Sequence, residues 1–284
     1  MSFFDTLQEA THQQRHELFN LPIIRDALEG RVSLESYRAF LAQAYYHVRH
    51  TVPLMMACGA RLPSRLEWLR KAVCEYIEDE YGHEQWVLDD IEACGGDKDA
   101  VRDGRPSLPI ELMVSFLYDL IARDNPVGLF GMVNVLEGTS IALATHAADS
   151  IRERLDLPES AFSYLSSHGS LDIEHMQTYR RLMNTLDDPA DQAAVIHASK
   201  VVYTLYTDMF RGLPRDGESL HAPVLSSRSV DRRQRRHRPG NHHCLVCQWR
   251  PGVGRGSASG TVGAVTRTLS AAAVLDRRRP DVPQ

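Results

Sequence analysis

Residues 128–148 read GLFGMVNVLEGTSIALATHAA, and no other stretch of the chain says as much about its fold. Apolar side chains would lie on nearly every side of the helix that this stretch forms, from Leu129 and Phe130 to Ile141. A helix that is apolar all round is buried, so the stretch predicts the central helix of a helical domain. It contains a single carboxylate, Glu137. A buried carboxylate is costly unless it is neutralised, so Glu137 is either paired with a buried Arg or His or coordinated to a metal ion.

Further helices are predicted on both sides of this stretch. Apolar residues recur at spacings of three and four through the first 212 residues, and strand-like alternation is scarce. Ser33 and Asp188 are suitable N-cap residues, and Asp188 precedes Pro189, a residue favoured at the first helical position. Seven helices with short connections predict an all-α, compact bundle. These helices cover residues 4–19, 33–61, 64–95, 108–124, 127–153, 158–185 and 188–212.

The first candidate metal-binding pair is Glu80 and His83, in the stretch CEYIEDEYGHEQW at residues 74–86. Positions i and i+3 of a helix share a face, so a carboxylate and an imidazole at this spacing can bind one ion together. Di-iron helix bundles use Glu-x-x-His in this way. Alone the pair is weak evidence, because Glu and His are common on helix surfaces.

The second candidate segment is HGSLDIEH, residues 168–175. His168, Asp172 and His175 stand at positions i, i+4 and i+7, which form one stripe on a helix. The ordinary alternative is a polar face in water. Apolar residues at 171, 173 and 176 indicate instead that part of this helix is buried, where imidazoles need partners.

Together the three segments supply three carboxylates and three imidazoles from three helices. A mixed oxygen and nitrogen set suits ferrous iron or manganese and differs from a structural zinc site. Six protein ligands are too many for one ion with an open position and suit two ions with room for O2. The sequence therefore predicts two iron ions, with manganese as the alternative metal, and O2 as co-substrate. The predicted ligands are Glu80, His83, Glu137, His168, Asp172 and His175.

The order of these residues resembles that in the heme-oxygenase-like di-iron oxidases and oxygenases. The pattern is Glu-x-x-His, then a lone Glu, then His-x-x-x-Asp-x-x-His, and the resemblance covers residues 1–212. It implies the fold shared by heme oxygenase, TenA and pyrroloquinoline-quinone synthase, two iron ions held by the six residues above, and O2-dependent oxidation. It also implies a small-molecule substrate (a fatty acid, an amino acid or an amine) and an external electron donor.

Two segments resemble heme oxygenase itself. THQQRHELF, on the first predicted helix, places His16 where that enzyme has its heme-binding histidine, and VLEGTS at residues 135–140 resembles its distal helix. Glycines follow in heme oxygenase, whereas Ala142 and Leu143 follow here, and their side chains hinder close approach of the backbone to a heme. His12 and His16 are therefore interpreted as an ordinary surface pair.

The TenA thiaminase family offers another alternative, a metal-free enzyme or binding protein of the same fold. Its chemistry uses a cysteine on the central helix and an aspartate on the second helix. The central helix here has no cysteine, and FLAQAYYHVRH at residues 40–50 has no aspartate. Cys58, Cys74 and Cys94 lie on other segments and are predicted to be core or surface thiols.

Other side chains are weaker candidates for a role in a substrate pocket. One or two of a polar aromatic cluster could donate hydrogen bonds into it: Tyr45, Tyr46, His47 and His50. Four apolar residues could line a substrate channel, although their spacing is equally typical of a core: Met55, Met56, Phe130 and Met132. A cluster of acidic residues is predicted to face water: Asp89, Asp90 and Glu92.

Charge and composition divide the chain into a helical domain, residues 1–213, and a tail, residues 214–284. The formal charge is -12 over residues 1–215 and +7 over residues 216–284. Arg, Gly, Ser and Pro dominate the tail, which is predicted to be disordered. The abrupt change is also compatible with a shift of reading frame. The histidines and cysteines at 242–247 form only a weak zinc pattern.

Composition also predicts the setting of the protein. The N-terminus lacks the pattern of a secretory signal, and no stretch is expected to span a membrane. Five cysteines in 284 residues do not suggest a disulfide scaffold, so we expect a reduced cytoplasmic protein without a membrane partner. A homodimer is expected because it is the commonest assembly. No specific nucleic-acid partner is expected, although the tail could bind nucleic acid non-specifically.

Overall fold

The computed structural model describes the backbone of residues 1–215 and the side chains of residues 1–167 and 175–215. The predicted disordered tail, apart from its first two residues, and the zinc pattern at 242–247 therefore lie outside the described residues. The described part contains twelve α-helices and three short 3-10 helices, without a β-strand. The predicted all-α class is confirmed.

Numbered in chain order, the α-helices are α1 Phe3–Ala10, α2 His12–Phe19, α3 Pro22–Leu28, α4 Leu34–Val48, α5 Thr51–Arg61, α6 Glu67–Glu80, α7 His83–Ala93, α8 Lys98–Asp103, α9 Leu108–Arg123, α10 Leu129–Leu155, α11 Ser163–Thr185 and α12 Pro189–Arg211. The 3-10 helices are Ser64–Leu66, Pro126–Gly128 and Glu159–Ala161.

The predicted number of seven helices is too low for the described residues. Three predicted helices each divide in two, at Thr11, at Arg49–His50 and at Tyr81–Gly82, and the short helices α3 and α8 were not predicted. Apolar periodicity cannot reveal such breaks, because the two halves of each divided helix pack against the same core. Gly82 marks one break by its backbone, which has a φ of 95°.

Helix α10 is the central element that the sequence predicts, and α3, α5, α9, α11 and α12 pack against it. Gly131 lets it approach α12 closely, since a Cβ at this position would lie 2.6 Å from the backbone nitrogen of Ser199. By length and composition alone, residues 126–155 could cross a membrane, a possibility that the sequence analysis did not identify. Of its apolar window, 67% is buried within the protein, as befits a core helix.

Two helix starts agree with the predicted caps. The Ser33 hydroxyl accepts a hydrogen bond from the Ser36 backbone at the start of α4. The Asp188 carboxylate accepts one from the Ala190 backbone at the start of α12, where Pro189 takes the first position. Such caps satisfy backbone donors that have no partner inside the helix.

Candidate metal centre

Glu80 and His83 meet across a helix break rather than along one helix. Glu80 is the last residue of α6 and His83 is the first residue of α7. Gly82 between them adopts the left-handed backbone conformation that glycine tolerates and other residues disfavour. The pair is nevertheless in contact, with His83 Nδ1 3.1 Å from Glu80 Oε2, and both residues are buried. The contact predicted for this pair is present, but not for the predicted reason of a shared helix face.

The second contact in the centre joins α10 to α11. Glu137 is buried, and its Oε1 lies 3.6 Å from His175 Nδ1. The other ring nitrogen of His175, Nε2, lies 3.3 Å from Asp79 Oδ2. When one ring nitrogen of a histidine binds a metal ion, a hydrogen bond from the other commonly orients the ring. Asp79 can therefore position His175; the sequence analysis did not identify Asp79, although it adjoins Glu80 in an acidic run.

The two remaining predicted ligands, His168 and Asp172, belong to α11, the helix that also carries His175. Their side chains lie outside the described residues. Among the side chains that are described, no three His, Cys, Asp or Glu residues converge closely enough to hold a metal ion by themselves. The contribution of α11 to a metal site thus stays a prediction, and for His175 the structure shows its position beside Glu137.

The donor chemistry of the described residues fits iron. Glu80 and Glu137 are buried and line the same cavity, and each has an imidazole within 3.6 Å. Two carboxylates beside one apolar space repel each other, and a divalent cation between them would offset that cost. Carboxylate oxygen with imidazole nitrogen is a ligand combination used for iron and manganese.

Asp90 fixes the start of the helix that carries His175. Its carboxylate is fully buried and accepts hydrogen bonds of 2.9 Å from the backbone nitrogens of Ser163 and Tyr164, at the start of α11. The expectation that Asp90 faces water is therefore wrong. Burial raises the pKa of its carboxyl to about 6, and the two backbone hydrogen bonds oppose that rise.

Glu80 and Glu137 line a long apolar cavity. The empty space of the cavity, including the part open to solvent, is about 1230 Å³. The centre of a water molecule can move through only about 150 Å³ of this space, so the cavity is narrow. Ten residues on one face of α10 line it: Met132, Val133, Leu136, Glu137, Thr139, Ser140, Leu143, Ala144, Ala147 and Ile151. From Glu137 to Ile151 the helix advances about 21 Å, which is the length of a long fatty acyl chain.

Hydroxyl groups supply most of the remaining polarity of this cavity near Glu137. The side-chain oxygens of Thr139 and Ser140 are buried and have no hydrogen-bond partner among the described residues. Both residues line the cavity. A ligand with a polar group at this depth would satisfy them, since buried polar groups are normally hydrogen-bonded. The sequence analysis did not single out either residue.

The weaker sequence candidates have mixed outcomes. His47 lines the cavity, as do Met55 and Met132, so three of the eight contribute to it. Met56 is 55% exposed instead, and Phe130 is buried in the core without lining the cavity.

None of the described cysteines is placed to act as a nucleophile in this cavity. Cys58 and Cys94 are buried and Cys74 is exposed, and none of the three lines it. Burial raises the pKa of the Cys58 thiol to about 12 and that of Cys94 to about 11. Both thiols therefore stay protonated at neutral pH and are unreactive.

The histidines of α2 are exposed at the surface. His12 and His16 stack on one another with ring centroids 6.1 Å apart, and neither lines the cavity. Leu143 projects into the cavity from α10. The interpretation of His12 and His16 as a surface pair agrees with this arrangement.

Solved structures with the same fold include proteins of different function. A domain of unknown function with a heme oxygenase-like fold from Shewanella denitrificans is 20% identical, with a TM-score of 0.65. A TenA homologue from Pseudomonas syringae pv. tomato is 12% identical, with a TM-score of 0.64. Heme oxygenase-1 from the cyanobacterium Synechocystis, solved in complex with heme, is 15% identical, with a TM-score of 0.59. Each alignment covers 74% of this chain and 91% of the other.

At these identities the structural likeness establishes the fold and leaves the activity open. Among curated protein sequences, none matches this chain. The sequence profile of a family described as "iron-containing redox enzyme" matches residues 38–207, which is more than half of the chain. This protein therefore belongs to the iron-containing redox enzyme family and has a heme oxygenase-like fold.

Proposed function

We propose that this protein is a non-heme di-iron oxidoreductase that uses O2 to oxidise a small organic molecule. The observation that supports the proposal is a pair of carboxylate–imidazole contacts, Glu80 with His83 and Glu137 with His175. They come from α6, α7, α10 and α11, and both carboxylates line one cavity. Ligands that converge from several helices on the interior are the way in which helix bundles hold metal ions.

The six residues predicted from the sequence are the proposed ligands: Glu80, His83, Glu137, His168, Asp172 and His175. Ferrous iron bound there supplies the electrons that O2 requires for reduction, and manganese is the second metal that this ligand set suits. An external electron donor belongs to the proposal because each oxidation removes electrons from the site.

The other residues of the site have roles in binding and positioning. The apolar wall of α10 excludes water from the carboxylate end of the cavity. Thr139 and Ser140 can donate hydrogen bonds to a small polar molecule bound beside Glu137. Asp79 holds the imidazole of His175 from the side opposite Glu137.

The two alternatives of the same fold have less support. Heme binding through His16 requires that this residue face the cavity, and it is exposed on α2. A metal-free TenA-like enzyme needs a nucleophile in the cavity, and none of the described cysteines lines it. A metal-free binding protein would give no role to two buried carboxylate–imidazole pairs that line one cavity.

Iron binding by the full-length chain tests the proposal. The protein is loaded anaerobically with ferrous iron, freed of excess metal, and its iron content per chain is measured by mass spectrometry. Two irons per chain are expected for the natural sequence. The His175→Ala variant is expected to lose at least one, because it removes a ligand beside Glu137. O2 consumption by the loaded protein provides the second measurement.

His146→Ala is the matched control, because His146 is an exposed histidine of α10, nine residues after Glu137. Its iron content should equal that of the natural sequence. The proposal fails if the protein binds no iron, or if the His175 and His146 variants retain the same amount. Binding of stoichiometric heme instead, abolished in His16→Ala, would establish the heme oxygenase alternative.

A further inference from the structure

The end of the apolar cavity away from Glu80 and Glu137 adjoins a second, polar cavity, which we call the arginine vestibule. Ile23, Val32 and Ser36 line both cavities, so the two spaces are neighbours with shared walls. Of the residues that the structure describes, four charged ones line the vestibule: Asp26, Arg31, Arg154 and Arg215. The vestibule thus has three guanidinium groups for one carboxylate.

The arginines of the vestibule are only partly neutralised by their neighbours. Asp26 accepts hydrogen bonds from Arg31 at 2.9 Å and from Arg215 at 3.1 Å, and Arg31 also pairs with Glu29 outside the vestibule. Arg154 forms no ion pair with any residue that the structure describes. With Glu29 included, the described side chains of this group carry three positive and two negative charges, and Arg154 is the arginine that no described carboxylate pairs.

A glycine brings Arg31 and Arg154 together. Gly30, just before Arg31, has a φ of 66° and lies against the last turns of α10. A Cβ there would come within 2.7 Å of the Ser150 carbonyl oxygen and 3.3 Å of the Arg154 Cβ. The turn after α3 can therefore approach α10 closely only with glycine at this position.

Between the vestibule and the carboxylates, the wall of the cavity is apolar. On α10 the lining residues of this section are Leu143, Ala144, Ala147 and Ile151, and α3 adds Ile23, Ile24, Ala27 and Leu28. Among the side chains that the structure describes, Glu80 and Glu137 are the only acidic ones that line it, and no Lys or Arg does. Arg154 follows Glu137 by 17 residues, so the positive and the negative end lie about 25 Å apart along α10.

We propose that the cavity and the arginine vestibule form one binding site for a linear aliphatic anion, with its head group at Arg154 and Arg31 and its chain directed towards Glu80 and Glu137. Narrowness and length select an extended chain over a ring system, and the excess positive charge selects an anionic head group. In the metal-free protein the acidic end repels that head group and the vestibule attracts it, so the head group binds at the vestibule.

This inference names the substrate class for the proposed function, and it rests on that function only for the reaction at the carboxylate end. The chain carbon that lies beside Glu80 and Glu137 in this binding mode is far from the head group of the ligand. Binding itself requires no iron. The arginines recognise a carboxylate or a phosphate by the same fork of N–H donors, so a free fatty acid and a phosphate-linked lipid share the required chemistry.

The test is equilibrium dialysis of the full-length, chelator-treated protein against radiolabelled hexadecanoate below the concentration at which it forms micelles. Hexadecanol, with the same chain and no charge, is the matched neutral ligand, and hexadecyl phosphate is the second anion. Arg154→Gln should weaken hexadecanoate binding about tenfold, because it removes a charge-assisted contact. It should leave hexadecanol binding unchanged.

Arg152→Gln is the control variant, because Arg152 lies in the same turn of α10, pairs with Asp149 and does not line the vestibule. Both arginines are exposed, so neither change threatens the fold. Equal affinities of the two variants for hexadecanoate would overturn the proposal, as would equal binding of hexadecanol and hexadecanoate, or no binding of either. If hexadecyl phosphate binds more tightly than hexadecanoate, the result would support the site and identify a phosphate-linked lipid, rather than a free fatty acid, as its ligand. Iron content is measured separately, so failure here leaves the di-iron proposal to its own test.

Discussion

Gly82 controls how Glu80 and His83 meet, because it turns the chain between the last residue of α6 and the first of α7. Its φ of 95° is strained for any residue with a Cβ, although the space around that Cβ would be empty within 4 Å. We predict that Gly82→Ala costs about 1–2 kcal/mol in the free energy of unfolding, for a conformational and not a steric reason. It should also reduce iron content, because His83 moves relative to Glu80.

Gly138→Ala separates this effect from the general cost of adding a methyl group. Gly138 follows Glu137 within α10, and a Cβ there meets only the end of Met176, at 3.8 Å. Because alanine favours helix, this variant should be neutral or more stable by up to about 1 kcal/mol. Urea denaturation of both variants provides the measurement, and an equal loss of stability in the two would contradict the interpretation.

At the level of single residues, sequence reasoning found the donors that make the described contacts and missed those that support them. Glu80, His83, Glu137 and His175 could be predicted because carboxylate and imidazole at these spacings have few structural uses on a buried surface. Asp79 could not, because its role depends on how α11 packs beside α6, which no local pattern encodes.

Asp90 of α7 fixes the start of helix α11. Because Asp90 has a raised pKa, we expect the free energy of unfolding to depend on pH. The raised pKa, about 6 against an ordinary 3.8, means that the folded state holds the Asp90 proton more tightly than the unfolded state. Between these two values the folded state binds more protons, so the free energy of unfolding falls as pH rises through the window. The contribution of Asp90 should fall by up to about 3 kcal/mol from pH 4 to pH 7.

Asp90→Asn tests this, because asparagine does not titrate and its amide oxygen can still accept a backbone hydrogen bond. The free energy of unfolding is measured by urea denaturation at several pH values, with a chelator present to remove any effect of bound metal. The variant should show a smaller decrease between pH 4 and pH 7 than the natural protein. Parallel pH profiles would show that Asp90 is not the titrating group.

The helices show which elements a sequence can reveal. Long helices bounded by caps or by proline, such as α9, α10 and α12, could be predicted because cap and periodicity agree. The breaks within α1–α2, α4–α5 and α6–α7 could not, since the apolar pattern runs through them. The cavity could not be predicted either, because Leu143 and Ala147 have the spacing of core residues and become a wall only where α3 and α10 leave space between them.

For the whole molecule, the strongest feature is the division of charge between residues 1–215, at -12, and residues 216–284, at +7. An acidic helical domain repels a nucleic acid, whereas a segment with 12 arginines attracts phosphates without reading their sequence. The homodimer is a prediction from the sequence that light scattering can check. The cytoplasmic location is another, and cell fractionation can check it.

Deleting residues 216–284 should therefore abolish any affinity for DNA. The full-length protein is expected to bind duplexes of unrelated sequence equally, with an affinity that falls steeply between about 50 and 200 mM salt as phosphate contacts are exchanged for counterions. The 1–215 protein should show no binding in the same fluorescence anisotropy assay. Iron content should be equal in the two proteins, because all six proposed ligands precede residue 216. Sequence-specific DNA binding retained by residues 1–215 would instead favour a regulatory function for the helical domain.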